Sequence, residues 1–77
     1  MSVSVFPNPA RRAVFINGIT GYKAQVSMFN LKGAKVFEDI VETDKGFDVS
    51  GYSPGAYILQ IETIDRKEKQ LLKLVIQ

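Results

Sequence analysis

The stretch KAQVSMFNLKGAKVFEDIV, residues 23–41, decides the fold class of this chain. Its first half alternates apolar with polar residues, the apolar ones being Ala24, Val26 and Met28. A second apolar run over residues 34–41 follows Gly33, which can adopt a positive φ at no steric cost. Two such runs on either side of a glycine turn predict an antiparallel β-hairpin.

The segments that flank the hairpin repeat this alternation of turn residues with runs rich in Val, Ile, Phe and Tyr. The pattern predicts further strands over residues 2–6, 12–17, 46–49 and 55–63. The last segment fits two patterns. A helix would carry Ile64, Leu71, Leu72 and Val75 along one side, whereas a half-buried strand would alternate Leu72, Leu74 and Ile76. The alternation favours a strand, and a total of about seven strands predicts an all-β, immunoglobulin-like antiparallel sandwich.

The size and composition of the chain are those of one small globular domain. Of its 77 residues, 45% are hydrophobic and 23% are charged. No apolar run reaches the ~20 residues that a membrane-spanning helix needs. The first residues do not form a charged region followed by an apolar stretch, so we expect no secretory signal peptide here. If the domain is exported, we expect that signal upstream on a longer parent protein.

Charge and residue usage argue against several classes of function. The ten Lys and Arg exceed the eight Asp and Glu by only two and are spread along the chain, which disfavours a nucleic-acid partner. Cysteine and histidine are absent, so the chain has no disulfides, no thiolate nucleophile, no His-based acid–base catalysis and none of the usual zinc ligands. We therefore predict that it is not an enzyme and that it needs no cofactor.

Two groups of side chains are candidate ligand sites. The carboxylates Glu38, Asp39, Glu42 and Asp44 could suit calcium, but they lack the regular spacing of a calcium loop, and a solvated turn is the favoured interpretation. Among the aromatic residues, strand patterns place Phe15, Phe29, Phe37 and Tyr57 in the core. Tyr22 and Tyr52 lie in turn-rich stretches, where one could be a corner tyrosine bonded to backbone or an exposed sugar-stacking ring.

The predicted last strand has apolar residues on both of its faces. Leu71 and Val75 lie beside Lys73 on the face opposite Leu72, Leu74 and Ile76. Such a strand could be an edge that pairs with another protein, or it could be covered by a neighbouring loop of the same domain.

Four blocks of sequence, in order and spanning nearly the whole chain, resemble one known family. Phe6-Pro7-Asn8-Pro9 resembles the opening YPNP of the type IX (Por) secretion system C-terminal sorting domain. Residues 26–36, VSMFNLKGAKV, are similar to its V-x-I-Y-N-x-x-G-x-x-V, and residues 47–61, FDVSGYSPGAYILQI, to its I-D-L-S-x-L-x-x-G-x-Y-x-L-x-I. The ending KLVIQ, residues 73–77, resembles the closing Lys followed by aliphatic residues. The departures are apolar or aromatic exchanges, at Phe6, Met28, Phe29 and Tyr52.

The resemblance implies that residues 1–77 form a single non-catalytic sorting domain, a fragment of a longer exported protein of Bacteroidetes. It implies recognition by the type IX translocon, removal by a sortase-like peptidase, and a covalently linked upstream cargo. The parent protein would pass through the periplasm and end on the cell surface or outside the cell. We expect no nucleic-acid partner and no direct membrane insertion, while a free terminal strand would allow a homodimer.

The resemblance also implies which residues serve recognition and which serve the structure of the domain. For translocon recognition it indicates Gly55, Tyr57, Lys69, Leu71, Lys73 and Val75. For motif and structural roles it indicates Pro7, Asn8, Pro9, Asn30 and Gly33. We further expect Lys73 to supply a charge contact and Gly55 to allow close approach of a partner's backbone.

A second class of function stays open, because fold does not fix function. An immunoglobulin-like carbohydrate-binding or adhesion module of a surface protein could have the same fold. Exposed, coplanar aromatic rings on one face would favour that module, whereas a polar face beside an apolar terminal strand favours the sorting signal.

Overall fold

A computed structural model describes residues 2–19, 23–65 and 67–77, and it has seven β-strands. In chain order they are β1 (Ser4–Phe6), β2 (Ala13–Asn17), β3 (Lys23–Phe29), β4 (Lys35–Glu42), β5 (Phe47–Asp48), β6 (Gly55–Thr63) and β7 (Lys69–Ile76). The predicted strand at the end of the chain is thus confirmed over the helical alternative. None of the described residues belongs to a helix long and apolar enough to cross a membrane.

The strands form two sheets, with the orders β1-β2-β5 and β4-β3-β6-β7, and every pair of neighbouring strands is antiparallel. The predicted all-β sandwich is therefore confirmed. In the constant-type immunoglobulin arrangement the fourth strand shares a sheet with the first, second and fifth. Here β4 pairs with β3 instead, which enlarges the sheet that carries the terminal strand.

Asn30 organises the turn of the β3–β4 hairpin. Its carbonyl accepts the N–H of Gly33 at 2.9 Å, and its side-chain Oδ1 accepts the N–H groups of Lys32 and Ala34 at 3.0 Å each. Gly33 has a φ of 87°, a backbone conformation that a residue with a Cβ rarely adopts. The predicted hairpin and its glycine turn are confirmed.

The core lies between the inner faces of the two sheets. The large sheet contributes Met28, Leu59, Ile61 and Leu74, all fully buried, and the small sheet contributes Val14, Ile16 and Phe47. Removing a side chain of this size from water stabilises the fold by about 1.5–3 kcal/mol. The alternation of these residues along each strand therefore fixes which face of each sheet points inward.

Three strands are shorter than the predicted ranges 2–6, 12–17 and 46–49, since β1 and β5 begin later, β2 begins at Ala13 and β5 ends at Asp48. The starts of β1 and β5 have reasons visible in their hydrogen bonds. β1 begins at Ser4 and not at residue 2, because the N–H and C=O of Val3 bond to the side-chain amide of Gln70 instead of a strand partner. β5 begins at Phe47 and not at residue 46, because Gly46 belongs to a turn in which its N–H donates to the carbonyl of Glu42.

Residues 7–10, which we call the N-terminal clasp, lie along the outer edge of β7. The side-chain Nδ2 of Asn8 donates to the carbonyl of Lys73 at 2.9 Å, and Asn8 Oδ1 accepts the N–H of Val75 at 3.0 Å. Ala10 then forms a parallel bridge with Ile76: its N–H donates to the carbonyl of Val75, and its carbonyl accepts the N–H of Gln77, both at 2.8 Å. The clasp joins the start of the domain to its end and covers one part of an edge that would otherwise be open.

The clasp predicts a measurable contribution from one exposed side chain. Asn8→Ala removes two hydrogen bonds to the backbone of β7 and should lower the free energy of unfolding by about 1–2 kcal/mol. Urea denaturation would measure this change, and faster hydrogen exchange of the Val75 amide would locate it. Arg11→Ala, at an exposed neighbouring position, is the control, and equal stability of the two variants would contradict the prediction.

Two glycines form a matched pair for a second prediction. Gly46 has a φ of 69°, and a Cβ at this position would collide with the carbonyl oxygen of Val14. Gly51 has nothing within 4 Å of where a Cβ would lie. Gly46→Ala should therefore destabilise the domain by more than ~2 kcal/mol, whereas Gly51→Ala should change stability by less than ~0.5 kcal/mol. Thermal unfolding of both variants would check this, and a small loss at Gly46 would count against the turn geometry.

Candidate functional site at the terminal strand

β7 has one face in the core and one face in solvent. Leu74 and Ile76 are buried and Leu72 is half-buried, whereas the outer face carries Lys69, Leu71, Lys73 and Val75. Leu71 is 64% exposed, on a strand whose opposite face is in the core. The two faces predicted for this strand are confirmed, and four of the predicted recognition residues lie together on one surface.

The other two predicted recognition residues occupy different environments. Gly55 pairs with Ile76 at the end of β7, has a φ of 149°, and has open space where a Cβ would be. Tyr57 is buried, and its hydroxyl donates to the carbonyl of Ser53 at 2.6 Å. Gly55 is therefore accessible to a partner, while Tyr57 supports β6 from beneath the sheet.

The predicted opening motif joins this site through the N-terminal clasp. Asn8 stands 65 residues before Lys73 in sequence, yet its side chain bonds to the backbone of that residue. Pro7 and Pro9 have no N–H to offer a neighbouring strand, so the side chain of Asn8 makes the contacts that a strand backbone would make. Sequence reasoning assigned Asn8 a structural role but missed this pairing, and it missed the roles of Ala10 and Gln70 altogether.

The outer face of β7 is positively charged at two positions. Lys69 stands opposite Glu62 of β6, whereas Lys73 stands opposite the apolar Ile58. Within the described residues, ion pairs join Lys35 to Glu38 and Lys45 to Glu42, both at 3.0 Å, and neither involves β7. Lys73 therefore presents its charge to solvent between the apolar side chains of Leu71 and Val75.

The acidic residues weighed as a calcium site are directed to separate partners. Glu38 and Asp39 occupy opposite faces of β4, since they are adjacent in a strand. Glu38 Oε2 lies 3.0 Å from Lys35 Nζ, and the hydrogen bond and charge of Lys35 lower the pKa of Glu38. Glu42 pairs with Lys45 in the next turn. Across the described ranges, no three acidic side chains are grouped so that they could hold a metal ion.

The tyrosine and phenylalanine predictions have mixed outcomes. The hydroxyl of Tyr52 donates to the carbonyl of Val36 at 3.3 Å, so the predicted backbone-bonded tyrosine is confirmed at this position. Tyr22 lies outside the described residues. Phe37 packs against the core and stacks on Phe47 with ring centroids 5.1 Å apart.

Two phenylalanines predicted as core lie on outer faces and are half-buried. Val14 and Ile16 take the inner face of β2, so Phe15 points outward. There it contacts the exposed Phe6, its register partner in β1, with ring centroids 5.7 Å apart and ring planes 30° apart. Phe29 follows Met28 in β3 and also points outward, with Lys35 Nζ 5.9 Å from its ring centroid.

Comparisons with known proteins agree with this architecture. Residues 4–77 match the family described as the secretion system C-terminal sorting domain. Among solved structures, the chain is similar to part of PorZ, an essential bacterial surface component of the type-IX secretion system of human oral-microbiomic Porphyromonas gingivalis. That similarity has a TM-score of 0.70 and 19% sequence identity, and it covers 97% of this chain and 11% of PorZ. No curated protein sequence matches.

At that identity, the likeness to PorZ concerns the fold alone. The family match covers nearly the whole chain, including β7, the hairpin turn and the N-terminal clasp. This chain therefore belongs to the family of type IX secretion system C-terminal sorting domains, the sorting signals of proteins that are exported to the cell surface or secreted.

Proposed function

We propose that this domain is the sorting signal of its parent protein. The type IX translocon at the outer membrane recognises it through the outer face of β7. The observation that carries the proposal is the exposed Leu71 between Lys69 and Lys73, on a strand anchored to the core by Leu74 and Ile76. Leu71 offers apolar area that a partner could bury, and the flanking charges would help to select that partner.

Within this proposal each predicted recognition residue has a separate role. Lys73 supplies a charge contact, because its ammonium group is exposed and flanked by apolar side chains. Gly55 lets a partner's backbone approach the end of β6, since a side chain is absent and the space beside it is open. Tyr57 holds β6 in place through its bond to Ser53 and does not contact the partner.

The proposal includes the events before and after recognition. The parent protein crosses the inner membrane by its own N-terminal signal and folds in the periplasm. After translocation a sortase-like peptidase cuts before Phe6, and the cargo is released or attached to surface lipopolysaccharide. The clasp, which bonds to β7, would lie directly after the proposed cut.

A charge reversal tests the proposed site without disturbing the core. Lys73 is exposed, so Lys73→Glu should leave the domain folded, and it should reduce export of a domain-tagged fluorescent reporter by about tenfold. The host is a bacterium with a type IX system, and the reporter carries an N-terminal signal peptide. Reporter fluorescence in the medium and on the cell surface, relative to the periplasm, is the measurement.

The matched control is Lys32→Glu, a reversal of an equally exposed lysine in the β3–β4 turn. It changes the net charge by the same amount and should leave export unchanged. Normal export of a folded Lys73→Glu variant would refute the role of Lys73. Failure of the unaltered domain to export the reporter would refute the proposed function itself.

One observation favours a second candidate, a carbohydrate-binding or adhesion module. The rings of Phe6 and Phe15 lie side by side on the outer face of the small sheet, and Asn17, Thr43 and Asp44 line the same groove. Aromatic rings beside polar groups suit the apolar faces and hydroxyls of a sugar. Binding of the isolated domain to a glycan array, abolished by Phe15→Ser, would support this candidate, and no binding would exclude the glycans on the array as its ligands.

A further inference from the structure

We infer that the open part of the β7 edge, from Lys69 to the N–H of Lys73, is completed by a β-strand of a partner protein whose side chains there are acidic. This inference rests on the proposed function and specifies how the recognition strand is bound. The partner is thus defined by its chemistry: an extended segment with an acidic, an apolar and an acidic residue at alternate positions.

The hydrogen-bond pattern of β7 identifies which backbone groups point away from the domain. In an antiparallel pair, successive residues direct their N–H and C=O groups alternately toward the partner strand and away from it. The bonds of Val75 and Gln77 to the clasp show that these residues point away from β6. By the same alternation, the N–H and C=O groups of Lys69 and Leu71 and the N–H of Lys73 also point away.

The N-terminal clasp bonds to only some of the backbone groups of β7 that point away from β6. Its hydrogen bonds along β7 extend from the carbonyl of Lys73, through Val75, to the N–H of Gln77. Among the described residues, none is hydrogen-bonded to the outward backbone groups of Lys69 and Leu71. Lys69, Leu71 and Lys73 are exposed, Leu71 by 64%, so the described part of the chain leaves their side chains uncovered as well.

The clasp also shows that the edge is suited to an added strand. At Ala10 a backbone segment already bonds to β7 in the geometry of a parallel pair. A partner strand beside Lys69, Leu71 and Lys73 would extend that pairing along the same edge. Its backbone would bond to the outward groups, in the way that extended peptides join exposed sheet edges.

The side chains of the open stretch select an acidic partner. Lys69, Leu71 and Lys73 point to the same side of the sheet, because residues at alternate positions share a face. Directly opposite pairs of unlike charge stabilise neighbouring strands, as do apolar pairs. A partner strand with acidic, apolar and acidic residues at alternate positions therefore matches this edge.

The same charges disfavour a second copy of this domain as the occupant. Two copies paired antiparallel about Leu71 would bring Lys69 of each opposite Lys73 of the other. Like charges directly opposite one another destabilise a strand pair. The edge is therefore better suited to a different, acidic chain than to self-association.

The first experiment blocks the edge without breaking the sheet. The N–H of Leu71 points away from β6, so Leu71→Pro removes a donor from the outer edge and keeps the β6–β7 bonds. Folding of the variant would be verified by circular dichroism and NMR. In the reporter assay we expect Leu71→Pro to reduce export by about tenfold or more. Leu71→Thr, which keeps the N–H and loses the apolar side chain, should reduce it less.

The chain offers a matched control on the opposite edge of the same sheet. Ile40 of β4 is 57% exposed, and its N–H bonds to the Asp39 side chain rather than to β3. Ile40→Pro should therefore leave export unchanged. Equal loss of export in both proline variants, or normal export with folded Leu71→Pro, would overturn the inference.

The second experiment measures binding directly with defined peptides. The probe is a capped eight-residue peptide with Glu, Val and Glu at alternate positions and Thr between them, so that the three lie on one face, and its control has Lys in place of Glu. Titration into the ¹⁵N-labelled domain should shift the amides of Lys69, Leu71 and Lys73 with the Glu peptide only, and added salt should weaken the effect. The double variant Lys69→Glu/Lys73→Glu should reverse the preference, which keeps the inference testable if Leu71→Pro fails to fold.

The outcomes separate this inference from the proposed function. Export that needs Lys73 but tolerates a folded Leu71→Pro would leave the proposed function standing and reject strand addition. Binding of both peptides alike, or a dimer formed through these residues in sedimentation experiments, would also reject it. Loss of export in Leu71→Pro with acidic-peptide binding by the unaltered domain would establish it.

Discussion

The structure depends on how its terminal strand is closed. A sheet that ends in β7 exposes a row of backbone groups, and such a row invites pairing with other chains. The side chain of Asn8 and the backbone of Ala10 cover this row from Lys73 to Gln77. Because residues 7–10 lie between β1 and β2, the same contacts also connect the small sheet to the large one, beside the core that packs them together.

This closure of the β7 edge matters because the domain is small and has no disulfide bond to stabilise it. With 77 residues and no cysteine, a stability of about 4–12 kcal/mol is the ordinary range. Two hydrogen bonds from one exposed asparagine, each worth about 1 kcal/mol, are a substantial part of that range. A clasp of this strength can hold the ends of the domain together and still open far more readily than the core.

Local patterns predicted most of the fold, because local chemistry determines most of it. The β3–β4 hairpin followed from alternating side chains and a glycine with positive φ, and β6 has the predicted bounds, Gly55–Thr63. The errors arose where a distant partner overrides the local pattern, or where a strand is apolar on both faces and alternation does not tell which face is inside. β1 loses Val3 to the side chain of Gln70, and Phe15 points outward because Val14 and Ile16 occupy the core.

The candidate site was predictable as a set of residues but not as a surface. Alternation alone placed Lys69, Leu71, Lys73 and Val75 on one face of β7. It could not show that Asn8 would bond to that strand from 65 residues away, because no periodic signal links the two segments. Nor could it separate Tyr57, which supports the sheet from inside, from Gly55, which stands beside open space.

The clasp divides the edge of β7 into two parts with different physical character. From Lys73 to Gln77 the backbone groups are bonded within the domain, and the side chains of Leu74 and Ile76 are buried. From Lys69 to Leu71 no described residue bonds to the outward backbone groups, and Lys69 and Leu71 have exposed side chains. A strand that is anchored at one end and open at the other holds its unpaired groups in an extended conformation before any partner arrives. Binding there costs little ordering of this chain, so the free energy of contact is retained as affinity and specificity. For a domain whose family serves as a sorting signal, that arrangement would reconcile a stable fold with the docking strand proposed above.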